Sequence, residues 1–277
     1  MSNNAPLSDR QRQVALNLQK GTHWFSRHWL AFFNIIMAIY VGLPILAPTL
    51  MNFGLTTPAN AIYTIYSPMC HQMASRSFFL FGDQVAYPRP YAGDELPAPL
   101  AFIASTNLTP IDDYLDSIPE FNNVSDDNWL AFTLAARAFR GNEQMGYKMA
   151  LCERDIAIYG FILIAGLLYG LIRRFRPVPR IHFLVFVFIG VGPIALDGFS
   201  QLFAYYATPI NGADPHPIQT TLATLFPLRE STPFLRTFTG ALFGFMLTWY
   251  AYPYIGEAMD ENEQELNRKL QRANAKK

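Results

Sequence analysis

Four long, predominantly apolar runs constrain the fold of this chain more than any other feature. They are residues 29–50, 157–172, 181–206 and 233–254. Each is near the ~20 residues that an α-helix needs to cross the hydrocarbon core of a bilayer. Charged residues make up 15% of the chain, against about 25% in an ordinary soluble protein. The sequence therefore predicts an all-α integral membrane protein with four full transmembrane helices.

A fifth apolar segment, residues 57–81, is a poor candidate for a full span. Pro58 is suited to the first turn of a helix, but Pro68 interrupts the segment. Its second half also carries three polar side chains, His71, Gln72 and Arg76. We predict a broken helix that is either re-entrant or interfacial, since irregular backbone at membrane depth is tolerated where protein or a water-filled cavity covers it.

The distribution of basic residues predicts the orientation in the cell membrane. Cytoplasmic segments are enriched in Lys and Arg, and both residues 10–28 and residues 173–180 are basic. Both termini are therefore expected in the cytoplasm. Residues 83–150 contain ten acidic and four basic residues, and they are expected outside.

This topology divides the chain into five parts. Residues 127–140, within the third part, have helical apolar spacing with Asp126 or Asp127 as the expected cap. The five parts are a cytoplasmic N-terminal segment (1–28), the first span with the broken outer helix (29–82), an acidic extracytoplasmic insertion (83–150), a three-span membrane domain (151–256) and a charged cytoplasmic tail (257–277).

Polar residues near the outer leaflet are the candidates for function, because ionisable groups in a membrane are costly and mark a site or a paired polar core. The first group is Cys70, His71, Gln72, Arg76 and Ser77. Two interpretations stay open for it. One is a binding site, and the other is a polar patch that satisfies its own hydrogen bonds against neighbouring helices.

A second group lies at the start of the second span. Asp155 and Tyr159 are four residues apart and share a helix face. Asp155 is expected to face the bundle. Arg154 is either a site residue or a snorkelling interface residue, and Glu153 is expected at the interface.

The third and fourth spans contribute the last candidates. Asp197 and Gln201 share one face of the third span, and Arg236 lies near the outer end of the fourth, followed by Thr239. An acid near a helix centre costs about 2.5–3.5 kcal/mol on insertion scales, so Asp197 is predicted to pair with Arg236. For these two residues alone, a structural ion pair is favoured over catalysis.

Small residues in the fourth span bear on how the helices pack. Gly240 and Gly244 form a Gly-xxx-Gly pair. Such pairs allow two helices to approach closely within a membrane.

Two cysteines allow one disulfide, but not a disulfide framework or a four-cysteine zinc site. We predict that Cys70 and Cys152 meet on the non-cytoplasmic side, where disulfides persist, and that they form a disulfide there. The alternative is a shared metal with His71 and Asp155 as further ligands, a mixture that zinc accepts. No haem is expected, because the five histidines lack paired spacing.

Two classes of function are compatible with these residues. The first is a site at the outer leaflet that binds a metal or small molecule or acts in redox chemistry; the sequence assigns no reaction to it. The second is a non-enzymatic accessory subunit that docks other membrane-protein subunits through the insertion. The lipid bilayer is a partner in both, and the balanced charge argues against nucleic acid.

The order of these motifs resembles a family of bacterial and archaeal polytopic membrane proteins of unknown function. The matching residues are Cys70-His71-Gln72 with Arg76-Ser77, Cys152 with Arg154 and Ile158-Tyr159-Gly160, Pro193 with Asp197-Gly198 and Gln201, and Arg236 with Thr239-Gly240. The resemblance implies a compact helical membrane domain without a known activity. It also implies that the position of Asp155, a cysteine in some relatives, serves as a ligand or redox group. The chain departs from the family in the insertion that separates the first two motifs.

Overall fold

The computed structural model describes residues 8–87, 136–207, 214–227 and 229–274. Most of the acidic insertion, including the greater part of the helix predicted at 127–140, lies outside these residues. Six helices form the body of the described structure: α1 (Asp9–Asn52), α2 (Thr56–Tyr66), α3 (Glu153–Arg173), α4 (Phe183–Ala207), α5 (Pro217–Leu225) and α6 (Pro233–Asn274).

Three of the described helices, α1, α3 and α4, are long and apolar enough to cross a membrane. They correspond to the first three predicted spans, although α4 begins at Phe183, two residues after the predicted start. The fourth predicted run, 233–254, is also helical and forms the first half of α6. Besides its Trp and Tyr residues this run contains Arg236, three threonines and two prolines, so it is less apolar than the other three. The remainder of α6 continues the same helix through the charged tail to Asn274.

The segment 57–81, which we predict to be a broken helix, is interrupted in the structure. Helix α2 ends at Tyr66, two residues before Pro68. Its 11 residues extend about 16 Å at 1.5 Å per residue, too short to cross a bilayer. The chain then continues irregularly, with a single 3₁₀ turn at Ala74–Arg76.

A small antiparallel sheet follows, which the all-α prediction misses. Its strands are β1 (Phe79–Leu80), β2 (Gly141–Asn142) and β3 (Gly146–Lys148), in the order β1-β3-β2. Strands of two or three residues are too short to produce an alternating pattern in the sequence. Gly146 is required where it stands: its φ is +75° and a Cβ there would lie 2.2 Å from the Leu80 carbonyl oxygen.

Helices α3 and α6 form the most extensive helix pair of the bundle. A Cβ at Gly240 would lie 2.7 Å from the Arg154 carbonyl oxygen, and a Cβ at Gly244 would lie 2.2 Å from that of Ile158. The close approach predicted from the Gly-xxx-Gly pair is therefore confirmed.

The two ends of the bundle have different cores. At one end, which we call the tail end because α6 continues from it as a polar tail, Trp29 packs edge-on against Tyr252 with ring centroids 5.4 Å apart. At the other end, which we call the thiol end, Tyr63, Tyr66 and Cys70 pack against the segment that leads into α3. The predicted site residues are concentrated at the thiol end.

Candidate functional site

The two cysteines of the chain come together at the thiol end. Cys70 lies in the irregular segment after α2, and Cys152 is the N-cap of α3. Their sulfur atoms are 3.9 Å apart and not bonded. The Cys152 thiol donates to Asp155 Oδ2 at 3.2 Å. The two sulfurs and a carboxylate oxygen of Asp155 all lie within 4.8 Å of one another. The predicted meeting of the cysteines is confirmed, whereas a disulfide between them is not formed.

Backbone amides surround the Cys70 sulfur. It accepts hydrogen bonds from the amides of Gln72 at 3.4 Å and Cys152 at 3.3 Å. The side-chain hydrogen bond with Cys152, together with these amides, outweighs burial and lowers the pKa of the Cys70 thiol. A lowered pKa favours the thiolate, which is the form that binds metals and acts as a nucleophile.

His71 does not take part in this cluster. It is exposed, while its neighbours Cys70 and Gln72 are buried. Gln72 has a positive φ of 52°, so the backbone reverses there and its side chain turns inward. The group of possible ligands that the structure brings together is Cys70, Cys152 and Asp155, without His71.

Gln72 holds three parts of the chain together instead. Its Nε2 donates to the carbonyl oxygens of Tyr63 at 2.8 Å and Ala150 at 3.0 Å. Its Oε1 accepts from Arg140 Nη1 at 3.0 Å. With these bonds Gln72 fixes the segment that carries Cys70 against the segment that leads to Cys152.

A fully buried lysine completes this junction. Lys148 Nζ donates to the carbonyl oxygens of Gln72 at 2.6 Å, Arg137 at 2.7 Å and Ala136 at 3.2 Å. Burial lowers the pKa of Lys148 well below its ordinary value, and the nearby charge of Arg140 acts in the same direction. Lys148 is not recognisable from the sequence, because it stands in a polar segment where a lysine is unremarkable.

Four charged residues form a buried network, which we call the Glu230 network. Glu230 Oε1 accepts from Arg76 Nε at 2.5 Å and from Arg236 Nη2 at 2.8 Å. Arg236 Nη1 also contacts Glu153 Oε2 at 3.4 Å. The side chains of Glu153, Glu230 and Arg236 are at most 4% exposed. Arg76 extends the network to the hydroxyl of Tyr205 at 3.1 Å.

A second group, the Asp197 cluster, lies beside it. Asp197 forms ion pairs with Arg154 and with Arg229, whose Nη2 is 3.0 Å from Asp197 Oδ1. The Ser231 hydroxyl donates to Asp197 Oδ2 at 2.6 Å, and Arg229 Nη1 donates to Ser200 Oγ at 2.6 Å. The predicted pairing of Asp197 with Arg236 is therefore wrong, since each residue has other partners.

The remaining predicted residues make local contacts. Ser77 Oγ donates to the Met73 carbonyl at 2.9 Å, and Thr239 Oγ1 donates to the Leu235 carbonyl at 2.7 Å. Gln201 is buried in α4. The ring of Tyr159 meets that of Tyr40 edge-on, with centroids 4.5 Å apart.

The first turn of α3 connects all three groups. Cys152 and Asp155 belong to the thiol cluster, Glu153 to the Glu230 network and Arg154 to the Asp197 cluster. Glu153, expected at the interface, is instead completely buried. Sequence reasoning also missed Glu230 and Arg229, because they stand in a polar connection and only the tertiary fold brings them to the bundle.

Comparison with known proteins finds similarity to membrane proteins without an assigned function. Residues 136–250 match a family described as "Predicted membrane protein (DUF2085)". The chain is also 22% identical over 238 residues to an uncharacterized protein of Methanocaldococcus jannaschii, and the match covers 83% of this chain and 94% of that protein. No solved structure matches the chain. The chain is thus similar to membrane proteins of unknown function, and the lipid bilayer is its environment.

Proposed function

We propose that this membrane protein binds a thiophilic divalent metal ion, zinc foremost, through Cys70, Cys152 and Asp155. The observation that carries the proposal is the sulfur separation of 3.9 Å. Two sulfurs at about 2.3 Å from zinc, at a tetrahedral angle, are about 3.8 Å apart. A disulfide requires about 2.0 Å. The observed separation therefore fits a shared metal better than a covalent bond.

The donor set suits this ion. Thiolates and carboxylates are both zinc ligands, and three protein ligands leave a fourth position for water or a substrate, which is typical of catalytic zinc sites. The two amides that donate to the Cys70 sulfur stabilise the negative charge that a ligating thiolate carries. The amide contacts correspond to the outer-shell hydrogen bonds that orient metal ligands in other proteins.

Titration of the metal-free protein in mild detergent with Co²⁺, followed by displacement with Zn²⁺, tests the proposal. Wild type is expected to develop a sulfur-to-cobalt charge-transfer band, and Cys70→Ser or Cys152→Ser to lose it. Asp155→Asn should weaken binding by at least the roughly 10–100-fold that loss of an outer-shell partner costs, because Asp155 is a direct ligand. His71→Ala is the matched control and should bind as wild type does. A band of equal strength in all variants would rule out the site.

A second candidate is a redox-active dithiol, favoured by the lowered pKa of Cys70 next to a second thiol. Oxidation to the disulfide would give two electrons and two protons to an external two-electron acceptor. Intact-mass analysis after alkylation, with and without reductant, distinguishes this state. Two freely alkylated cysteines in metal-free, unreduced protein would reject it.

We also propose the topology: four full spans, α2 re-entrant or interfacial, both termini in the cytoplasm and the insertion outside. It places the thiol end at the outer leaflet of the cell membrane. The basic segments 10–28 and 173–180 support it, because such segments favour the cytoplasm. Reporter fusions after Asp116 and after Phe175 should give opposite signals, and matching signals would contradict the four-span topology.

A non-enzymatic role as an accessory subunit stays a prediction. It rests on the acidity of the insertion at 83–150, most of which lies outside the described residues. Deletion of residues 90–134 tests it, since an accessory subunit would lose its partners in a detergent pull-down while keeping its metal.

We also propose that the four ordered motifs around Cys70, Cys152, Asp197 and Arg236 are the signature of the family that the chain resembles.

A further inference from the structure

The Asp197 cluster has fewer carboxylates for each arginine than the Glu230 network. The Glu230 network contains two arginines and two glutamates. The Asp197 cluster sets Arg154 and Arg229 against one carboxylate, and its other members are serine hydroxyls. Within the cluster one positive charge is therefore left over.

The two groups also differ in their buried polar atoms that lack a hydrogen-bond partner. In the Glu230 network they are acceptors, Glu153 Oε1 and Glu230 Oε2. In the Asp197 cluster the unused atom is a donor, Arg154 Nε, which is buried without an acceptor among the residues that the structure describes. A buried, charged donor left unsatisfied is costly. This atom and the surplus charge both favour an anionic ligand.

The cluster is also open to the surface. The side chain of Asp197 is 5% exposed, whereas those of Arg154 and Arg229 are 24% and 36% exposed. Asp197 and Ser200 hold Arg229 in place, and Asp197 holds Arg154. The two guanidiniums are thus oriented before a ligand arrives, which lowers the entropic cost of binding.

The surroundings are those of a membrane-facing surface. Phe199 and Leu202 on α4 are exposed, and so are Ile218 and Leu225 on α5. In a membrane protein such side chains face acyl chains. Arg229, four residues after Leu225, is therefore well situated to meet a headgroup.

We infer that Arg154 and Arg229 bind a phosphate group at the edge of the membrane. The planar guanidinium matches the oxygen geometry of phosphate and binds it through paired hydrogen bonds. A phospholipid headgroup and free inorganic phosphate share this chemistry. The site is separate from the thiol cluster, so it binds phosphate in metal-free protein as well.

The test is thermal unfolding of the metal-free protein in a neutral detergent with three additions. These are inorganic phosphate, a short-chain phosphatidylglycerol and a short-chain diacylglycerol without phosphate. A phosphate-containing addition is expected to raise the Tm, and the diacylglycerol is not. A shift with phosphatidylglycerol alone identifies the lipid as the source, and an equal shift with inorganic phosphate identifies free phosphate.

Arg229→Gln is the decisive variant. It leaves Asp197 paired with Arg154 and Ser231, so the fold is expected to survive, and the affinity for the phosphate compound should fall about tenfold with the loss of a charged hydrogen bond. Arg180→Gln is the matched control: it removes the same charge from a 43%-exposed side chain that pairs with Glu257, and it should leave the affinity unchanged.

Ser200→Ala provides an independent variant if Arg229→Gln does not fold. It keeps both guanidiniums but removes one hydrogen bond to Arg229, and should weaken binding about threefold. The proposal is overturned if no phosphate compound raises the Tm of wild type, if the diacylglycerol raises it as much, or if the variants at Arg229 and Ser200 bind as tightly as wild type.

Discussion

Ion pairs occur at both ends of the helical bundle, but they differ in burial. At the thiol end, the side chains of Arg236, Glu230 and Glu153 are 4%, 1% and 0% exposed. At the tail end, those of Arg180 and Glu257 are 43% and 55% exposed. Exposed pairs contribute about 0–1 kcal/mol, whereas buried pairs are costly to desolvate and costly to break. The concentration of buried charge beside the thiols therefore points to function at that end.

The largest effect is expected from Glu230→Ala. The substitution removes the carboxylate that Arg76 and Arg236 share, and it leaves the buried Arg236 only its longer contact with Glu153. We expect the free energy of unfolding in mild detergent to fall by about 3–5 kcal/mol, the usual cost of an uncompensated buried charge. Chemical denaturation of the variant and of wild type measures this difference in free energy. A loss below about 1 kcal/mol would mean that the Glu230 network contributes no more than an exposed ion pair.

The loss of stability at acidic pH is a second test of Glu230. Burial raises the pKa of Glu230, but the guanidiniums of Arg76 and Arg236 outweigh burial and hold the pKa below its ordinary value. A lowered folded-state pKa contributes stability that is present above the unfolded-state pKa and is lost as the pH falls through the folded-state value. Wild type should therefore lose this contribution below about pH 4.3. Glu230→Gln should lack that part of the pH dependence.

Asp197→Asn is expected to have a smaller effect, about 2–3 kcal/mol, because hydrogen bonds to a charged group are lost while water still reaches Arg154 and Arg229. Since Asp197 and Arg236 have different partners, the losses of Asp197→Asn and Arg236→Gln should add within about 0.5 kcal/mol in the double variant. If the double variant is no less stable than the less stable of the two single variants, Asp197 and Arg236 interact directly. That result would contradict the partners seen in the structure.

Helices α3 and α6 pack closely in the part of the bundle between the two ends, and this contact stabilises both ends. Gly244→Ala places a Cβ against the Ile158 carbonyl and should cost about 1–3 kcal/mol, as overpacking does. Gly160→Ala is the matched control, since a Cβ there meets nothing within 4 Å. Equal Tm values for the two variants would show that the close approach is not required.

The smallest effect is expected at the tail end. Arg180→Ala breaks an exposed pair with Glu257, and the free energy of unfolding should change by less than about 1 kcal/mol. Added salt should reduce even this difference, because exposed charges are screened. A loss as large as that of Glu230→Ala would show that burial does not distinguish the two ends.

Features set by local sequence were predictable. The length and apolarity of residues 29–50, 157–172 and 181–206 predict helices there, and Pro68 predicts the break after α2. Gly240 and Gly244 predict the close approach to α3, since their spacing puts both on one helix face. The meeting of Cys70 with Cys152 follows from topology, because both flank helix ends on the same side of the bundle.

The partners of the charged residues were not predictable in this way. The sequence pairs Asp197 with Arg236 because both lie in apolar segments, whereas two of the actual partners, Arg229 and Glu230, lie in a polar connection. Their approach depends on how that connection folds back onto the bundle, which no local pattern encodes. The local sequence likewise gives no sign of the positive φ at Gln72, whose side chain is buried while that of His71 is exposed.

The most direct test of the metal site is zinc K-edge X-ray absorption on zinc-loaded protein in detergent. The account predicts two sulfur ligands at about 2.3 Å and oxygen ligands at about 2.0–2.2 Å, with the sulfur shell lost in Cys70→Ser and Cys152→Ser and retained in His71→Ala. A first shell of nitrogen and oxygen alone in wild type would contradict a site built on Cys70 and Cys152.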